Sequence, residues 1–428
     1  MRLEVTVLTL VVGVVSYLVY RKFLSEKEAV APPPAPPKKD KKMGCLESKP
    51  EEEDHKAKKQ RVDTSAPVTS NTTAAPKPAV AAAAKPAASA AAKPAAKPKE
   101  EFSWNKKKPD PKDFMFSNLK NQVCIKPPGA INGQMFIVED CEDCDIYVCD
   151  NTAQVQVDYC KRCRIFIAPS ESSIFIRNCE DCKCIFACQQ LRTRECVNCD
   201  FLLYVSTAPV IEESKNMRFG CFRFFYFSLA QQFEAAKLSV YDNKWSEVYD
   251  FTPGKDNWSF LPLNTKASDL IKPLSAHPGS FSTAEEEAAH GDDSVVPVTA
   301  GLRKGDFAGK ERSFVLLLPS KAPEGPALFS KLPESCTLIQ TKQLQLDAAK
   351  VKTLLEKCSD STVTGSAKGM CVGVEVAGDG ALAGALKAVE AAGGSAVAYA
   401  SGDADAASFE LNVFFEQWRD FTGHGITK

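Results

Sequence analysis

Net charge is what this sequence lacks first. Its 53 Lys and Arg stand against 54 Asp and Glu across 428 residues, so no global field draws the chain to nucleic acid or to an anionic surface. Large apolar side chains are scarce from residue 25 to 101, where "APPPAPPKK" and "AAAAKPAASAAAKPAAKPK" repeat proline, alanine and lysine. No core can form there. The segment reads as a disordered tether held extended by its prolines, with transient helix in the alanine runs. Histidine is rarer still: the chain has four, and none falls between Cys124 and Cys221 to complete a mixed cysteine and histidine metal site.

The chain opens with residues that are almost continuously apolar from Val5 to Tyr20 and then meet Arg21 and Lys22. Residues 1–24 read as a membrane anchor: about 18 helical residues at roughly 1.5 Å each reach ~27 Å, enough for a thin hydrocarbon core. Lys38, Lys39, Lys41 and Lys42 extend the basic flank, which places the rest of the chain on the cytosolic face. A cleaved signal peptide is the alternative. Against it, "AVA" at 29–31 lies far from the apolar run, and secretion would expose a dense set of thiols to disulfide formation. Inside the tether, "MGCLESK" (43–49) fits a myristoylation pattern at Gly44 with a palmitoylation candidate at Cys45. Lipidation requires translation to start at Met43; otherwise the motif is silent, a relic or a chance match.

Most of the 17 cysteines fall between residues 124 and 221. Four CxxC pairs, Cys141/Cys144, Cys160/Cys163, Cys179/Cys182 and Cys196/Cys199, recur at intervals of 19, 19 and 17 residues. Such spacing is also that of zinc ribbons. The flanking residues favour another reading. Five and three positions before each first cysteine stand Phe136 and Val138, Val155 and Val157, Ile174 and Ile176, Leu191 and Thr193. Two and four positions after each second cysteine stand Ile146 and Val148, Ile165 and Ile167, Cys184 and Phe186, Phe201 and Leu203. Two short alternating strands around a tight corner, repeated at a near-fixed interval, describe a parallel β-solenoid with cysteine as a small buried hydrophobe.

With Leu191 and Thr193 inward, Arg192 and Arg194 point outward on one face. Stacking puts Arg194 in a column with Arg177, Asp158 and Glu139, and Arg192 in a column with Phe175, Gln156 and Ile137. Arg194 suits a structural ladder, whereas Arg192 has no acid in its column and is free to meet something negative. The aromatic-rich segment that follows, residues 221 to about 238, is helix-compatible and reads as a closure for an open end or side of the solenoid.

The repeat, "CQQLRTREC" and "FGCF" together resemble the tubulin-folding cofactor C domain family. Its retinitis pigmentosa branch is similar in "SWNKKKPDPKDFMFSNLK", "EDCEDCDIYVCD", "RNCEDCKCIFACQQLRTREC", "PVIEESKNMRFGCF", "WSEVYDFTP" and "NWSFLP", and in the lipidated start that "MGCLESK" resembles. The resemblance implies a mainly β chain, with a right-handed parallel β-helix over 102–263. It further implies GTPase activation of an Arf-like small GTPase in its GTP form, with Arg192 as the arginine finger. Gln189 and Gln190 would position the nucleotide or the partner's catalytic residue, Arg194 would support the finger, and Glu212, Asn216 and Phe251 would contact the GTPase. No cofactor of the chain's own is implied, since GTP and magnesium belong to the partner. The family analogy points to the plasma membrane and the cilium base, and to trafficking of lipidated cargo.

Residues 264–310 are rich in Ser, Pro, Gly and charge and read as a linker. In 311–428, "SFVLLL" (313–318), "CTLIQT" (336–341), "GVEV" (373–376) and "SAVAYA" (395–400) alternate with helical stretches near 346–357, 380–392 and 405–420, as in a small α/β unit. This part resembles a ferredoxin-like, nucleoside-diphosphate-kinase-like domain. Phosphohistidine transfer requires a positioned histidine, and none occurs between His290 and His424. "GDGALAGAL" is compatible with a phosphate-binding helix start or with an ordinary strand-to-helix turn. Besides GTPase activation, the sequence admits a non-catalytic effector of the same GTPase and a tubulin-folding cofactor.

Overall fold

The computed structural model describes residues 110–286, 294–303 and 306–418. The expected anchor (1–24), the tether (25–101) and the pair Gly44 and Cys45 lie outside the described residues. One expectation is corrected. Among the described residues no helix is long and apolar enough to cross a membrane, so a membrane-anchored location at the plasma membrane or cilium base is not carried forward.

The cysteine repeat forms the parallel solenoid its flanking residues predict. Its strands are β1 (Met115–Ser117), β2 (Val123–Lys126), β3 (Phe136–Glu139), β4 (Asp145–Val148), β5 (Val155–Asp158), β6 (Arg164–Arg177), β7 (Lys183–Arg194), β8 (Asp200–Val205), β9 (Val210–Glu212), β10 (Met217–Cys221), β11 (Tyr249–Asp250) and β12 (Trp258–Phe260). They stack as two parallel ladders. One runs β1, β3, β5, the end of β6, the end of β7, β9, β11; the other runs β2, β4, the start of β6, the start of β7, β8, β10, β12. The inward residues read from the sequence, from Phe136 and Val138 up to Leu191 and Thr193 and from Ile146 and Val148 up to Phe201 and Leu203, are buried in one core.

Each corner is made by two residues in the left-handed region: Asp140 and Asp143, Tyr159 and Arg162, Asn178 and Asp181, Glu195 and Asn198, Glu213 and Asn216. Asn and Asp dominate these positions because their short polar side chains tolerate positive φ better than other non-glycine residues. In the first four the cysteine between them points inward, and its thiol donates to the carbonyl two residues earlier, at 3.3 Å for Cys141 to Glu139 and 3.5 Å for Cys160 to Asp158; in the fifth the Ser214 hydroxyl does the same to Glu212. All the described cysteines are free thiols. Burial pushes the Cys184 thiol well up and that of Cys124 to about 11, so these groups stay protonated and pack as apolar wedges. Outside the corners, charges alternate from coil to coil: Lys120, Glu142, Lys161 and Glu180 stand in one column, with Lys120–Glu142 at 2.8 Å and Lys161–Glu180 at 3.4 Å.

The two sheets differ in what covers them. On the second ladder the outward side chains Tyr147, Phe166, Ile185 and Leu202 are buried, because Phe222, Phe224, Tyr226 and helix α1 (Leu229–Ala235) lie across them. The segment thus closes a side of the solenoid. The expected linker joins this cover: Leu270, Ile271, Leu274 and Val296 enter the same cluster, and the Tyr147 hydroxyl donates to the Lys272 carbonyl at 2.8 Å. Residues 264–276 and 294–300 are therefore a packed strap.

The C-terminal part has strands β13 (Arg312–Leu317), β14 (Cys336–Leu346), β15 (Gly369–Gly378) and β16 (Ala398–Ala400) in an antiparallel sheet of order β14-β15-β13-β16, with helices α2 (Gly325–Phe329), α3 (Ala348–Leu354), α4 (Ser361–Ser366), α5 (Ala381–Ala392) and α6 (Ala404–Leu411). That order is the ferredoxin-like one. Several elements depart from the sequence reading. β14 and β15 extend well beyond the expected segments, and the stretch expected as a helix over 405–420 changes to a π-helix at Asn412–Gln417. Gly373 makes room for this last turn, since a Cβ there would lie within 2.3 Å of the Phe414 ring. The strap ties the two parts together. Ala300 and Gly301 donate to Leu338 and Ile339 at 2.7 and 2.9 Å, and the Arg303 guanidinium lies 4.9 Å from the Phe260 ring and 5.7 Å from that of Trp245.

Two outcomes follow from the packing. Leu191→Ala empties a wholly buried position in the middle of the stack and is expected to cost ~2–5 kcal/mol in urea unfolding; a loss below about 0.5 kcal/mol would mean that the coil is not packed. Asp145 binds Arg164 and, at 3.2 Å, Lys272 of the strap. Burial works against its ionisation, but the two cations outweigh it and hold the carboxyl below its ordinary range. Its stabilisation is thus complete above the unfolded value of about 3.9 and is lost as pH falls through the folded one. Asp145→Asn is expected to lower stability at pH 7 and to flatten the acid limb of the stability curve, as followed by urea midpoints from pH 7 to 3.

Candidate functional site

Strand β7 places Leu191 and Thr193 in the core, so Gln190, Arg192 and Arg194 project from the outer face of the first sheet. No segment among the described residues lies across this face as the strap does across the other. Arg192 stands between Phe175 of β6 and Val210 of β9, with Tyr249 of β11 one strand further up and Gln156 and Ile137 below. It is exposed, and among the described residues its guanidinium makes no ion pair and no hydrogen bond. The reason is the column: none of its neighbours is an acid.

Arg194 occupies the charged column beside it. Arg177 below already holds Asp158, with Nε and Nη2 at 2.8 and 2.6 Å from the two carboxylate oxygens, and that bond keeps the Arg177 guanidinium more firmly protonated than usual. Arg194 pairs instead with the corner residue that follows it, Glu195, at 3.3 Å. Glu212, in register with Arg194, accepts the Glu195 N–H and the Ser214 hydroxyl through its carbonyl and keeps its carboxylate free of ion pairs among the described residues. Phe251 donates its N–H to Ile211 at 2.9 Å, which sets it above Glu212.

The expected site residues are thus only partly gathered. Gln190, Arg192, Arg194, Glu212 and Phe251 share the open face. Gln190 is steadied by the Ser173 hydroxyl, which donates to its side-chain oxygen at 3.1 Å. Gln189 sits at the bend between the two halves of β7, where its carbonyl accepts the Thr207 N–H and hydroxyl at 3.1 and 3.0 Å. Asn216 lies past the opposite corner, at φ 53°; its amide donates to Asn198, whose own amide donates to Asp181. This ladder gives Asn216 a place in the corner stack. Phe175 stands in the Arg192 column where the sequence places it, whereas Tyr249 and Val210 belong to the face and are not singled out by the sequence reading; the alternation in "VYDF" (248–251) carries the signal for Tyr249.

In the C-terminal domain two acids are buried: Glu375, held by Arg312 and Gln340 at 2.6 and 2.7 Å, and Glu410, which accepts from the Tyr399 and Ser401 hydroxyls at 2.6 and 2.5 Å and whose pKa is raised by its burial. No group of three or more His, Cys, Asp or Glu among the described residues is arranged to hold a metal ion.

Comparison with known proteins places this geometry in context. The family described as Tubulin binding cofactor C matches residues 133–251, the span that contains the open face. Protein XRP2 of Danio rerio is 40% identical over 291 residues, covering 66% of this chain and 76% of that protein. Protein XRP2 of Homo sapiens is 39% identical over 294 residues, covering 66% and 81%. Tubulin-folding cofactor C of Arabidopsis thaliana is 31% identical over 90 residues, covering 20% and 26%. Among solved structures, Tubulin Binding Cofactor C from Leishmania major is 25% identical over 28% of this chain and 83% of that one, with a TM-score of 0.25.

The contacts separate a corner residue from a free one. Asn216→Ala is expected to lower the unfolding free energy by ~1–2 kcal/mol through its left-handed backbone, with Asn216→Gly recovering most of the loss. Arg192→Ala, which breaks no bond among the described residues, is expected to leave the melting temperature within about 1–2 °C of the parent. Differential scanning fluorimetry and urea titration read both.

Proposed function

The chain belongs to the XRP2 group of the tubulin binding cofactor C family, and on that premise we propose that it is a GTPase-activating protein that inserts Arg192 into the nucleotide site of a GTP-bound Arf-like small GTPase. The single observation that carries this reading is the position of Arg192: outward, unpaired among the described residues, and central on a sheet face that nothing described lies across.

The chemistry asks for such a group. As water attacks the γ-phosphorus and the bond to the β-phosphate oxygen breaks, negative charge spreads over the γ-phosphoryl and leaving oxygens. A guanidinium brought in from outside stabilises that charge and is worth ~10³ to 10⁵ in rate. It is permanently charged, planar and weakly hydrated, so a lysine ammonium is a poor replacement. GTP and magnesium are held by the partner. Arg194, anchored by Glu195, supports the finger from the adjoining column. Gln189 and Gln190 face the nucleotide or the partner's catalytic residue, and Glu212 and Phe251 meet the GTPase surface, with Asn216 at the edge. The chain contributes a catalytic residue to another protein's active site and is not itself a GTPase.

A second reading, a tubulin-folding cofactor, is favoured by the family match over 133–251 and by the relative of that name in Arabidopsis thaliana. A third keeps the GTPase but makes the chain a non-catalytic effector. Single-turnover GTP hydrolysis against a panel of Arf-like GTPases separates them. The expected result is strong acceleration with one partner, lost by ~10³-fold or more in Arg192→Ala and in Arg192→Lys while binding to the GTP form persists. Equal stimulation by Arg192→Ala would remove the proposal. Binding without stimulation by the parent would leave the effector reading, and co-purification with tubulin in place of any GTPase would leave the cofactor reading.

A further inference from the structure

We infer that Tyr249 is the anchor that fixes the GTPase over Arg192, setting how tightly the partner docks and not how fast it hydrolyses GTP; the inference rests on the function proposed above. Tyr249 and Phe251 are exposed by 52% and 43%, and their rings meet edge to face at 4.9 Å with an interplanar angle of 83°. Two aromatic rings side by side on the last coil of the solenoid are more apolar surface than a solvated sheet edge requires. Their pairing already restricts both side chains, so little rotamer freedom remains to be lost when a partner covers them.

Register ties this pair to the arginine. Tyr249 pairs with Val210, and Val210 pairs with Arg192, so the three share one column. At ~4.8 Å per strand, the Cα atoms of Tyr249 and Arg192 are about 10 Å apart. A stable protein contact covers about 800 Å² on each partner, equivalent to a disc of about 16 Å radius. A GTPase centred on Arg192 therefore covers Tyr249, and the aromatic pair lies inside its footprint.

The same geometry describes the partner. Between Arg192 and the aromatic pair the column holds only Val210; in the next column Asp158–Arg177 and Arg194–Glu195 are paired, and Glu212 below Phe251 keeps a carboxylate without an ion pair among the described residues, at the margin of the apolar strip. The surface that docks here must present an apolar patch about 10 Å from the point where its γ-phosphate receives Arg192. The Tyr249 hydroxyl, which has no hydrogen-bond partner among the described residues, stands at the edge of that patch, where it can donate or accept. Buried aromatics flanking a charged centre are the residues that usually dominate binding energy.

The test measures stimulated hydrolysis as a function of activator concentration. Tyr249→Ala is expected to raise the half-saturating concentration at least about tenfold with a plateau rate within about twofold of the parent, and Tyr249→Phe to stay close to the parent. An unchanged half-saturating concentration overturns the inference, and so does a lower plateau at unchanged half-saturation. Failure of Tyr249→Phe to recover would show that the hydroxyl, not the ring, carries the contact, and would overturn the apolar assignment. Tyr249→Gln serves as the second variant if melting curves show that Tyr249→Ala unfolds. Calorimetric titration of GTPases loaded with a non-hydrolysable GTP analogue keeps the two claims apart. A parent that binds but never accelerates hydrolysis ends the proposed function while still reading the anchor as tenfold weaker binding of Tyr249→Ala. A parent that binds no Arf-like GTPase overturns both.

Discussion

Each turn of the solenoid depends on two left-handed residues set three apart, with a small thiol, or in the last such corner the hydroxyl of Ser214, between them. The pair reverses the chain in the fewest residues, and the inward thiol fills the small space that remains. Because the turn has the same length each time, the strand residues on either side arrive in the same phase, and Phe136, Val155, Ile174 and Leu191 stack in one file. The file of inward residues then determines the outward ones. Arg192 is directed away from the core by the burial of Leu191 and Thr193, and is left unpaired by what the other coils place beside it.

The two sheets take opposite fates for a chemical reason. The outward file of the second sheet is Tyr147, Phe166, Ile185 and Leu202, too apolar to leave in water, and the strap with α1 covers it. The outward files of the first sheet mix Gln156, Arg192, Glu139 and Arg177 with single apolar residues, and can stay wet. Solvated charge keeps the face available, while the few apolar groups on it, Phe175, Val210, Tyr249 and Phe251, give a second protein something to bury.

Much of this was legible in the primary structure. Alternation around CxxC fixed which residues point inward and so the columns of Arg192 and Arg194. What was not legible came from contacts remote in sequence. The strap over 264–276 and 294–300 looks like a linker because its apolar residues, Leu270, Ile271, Leu274 and Val296, are few and carry no period; they acquire meaning only against Tyr147, Phe166, Ile185 and Leu202, which are remote in sequence. The place of Asn216 in the corner stack, with its left-handed backbone and its bond to Asn198, likewise depends on the neighbouring coil. Tyr249 escaped because β11 is two residues long, shorter than any periodicity can show. The apolar run at residues 5–20 lies outside the described residues.

The free thiols that line the solenoid also shape how this domain ages. While folded, Cys141, Cys160, Cys179 and Cys196 are shielded, and oxidants cannot reach them. Once the coils part, the same sulfurs are exposed to solvent and to one another, where crosslinks form readily. Each wrong crosslink shortens a loop that the native corners need open. Opening under oxidising conditions therefore becomes a one-way event, and the lifetime of the domain is governed by how seldom it opens and not by how favourably it closes.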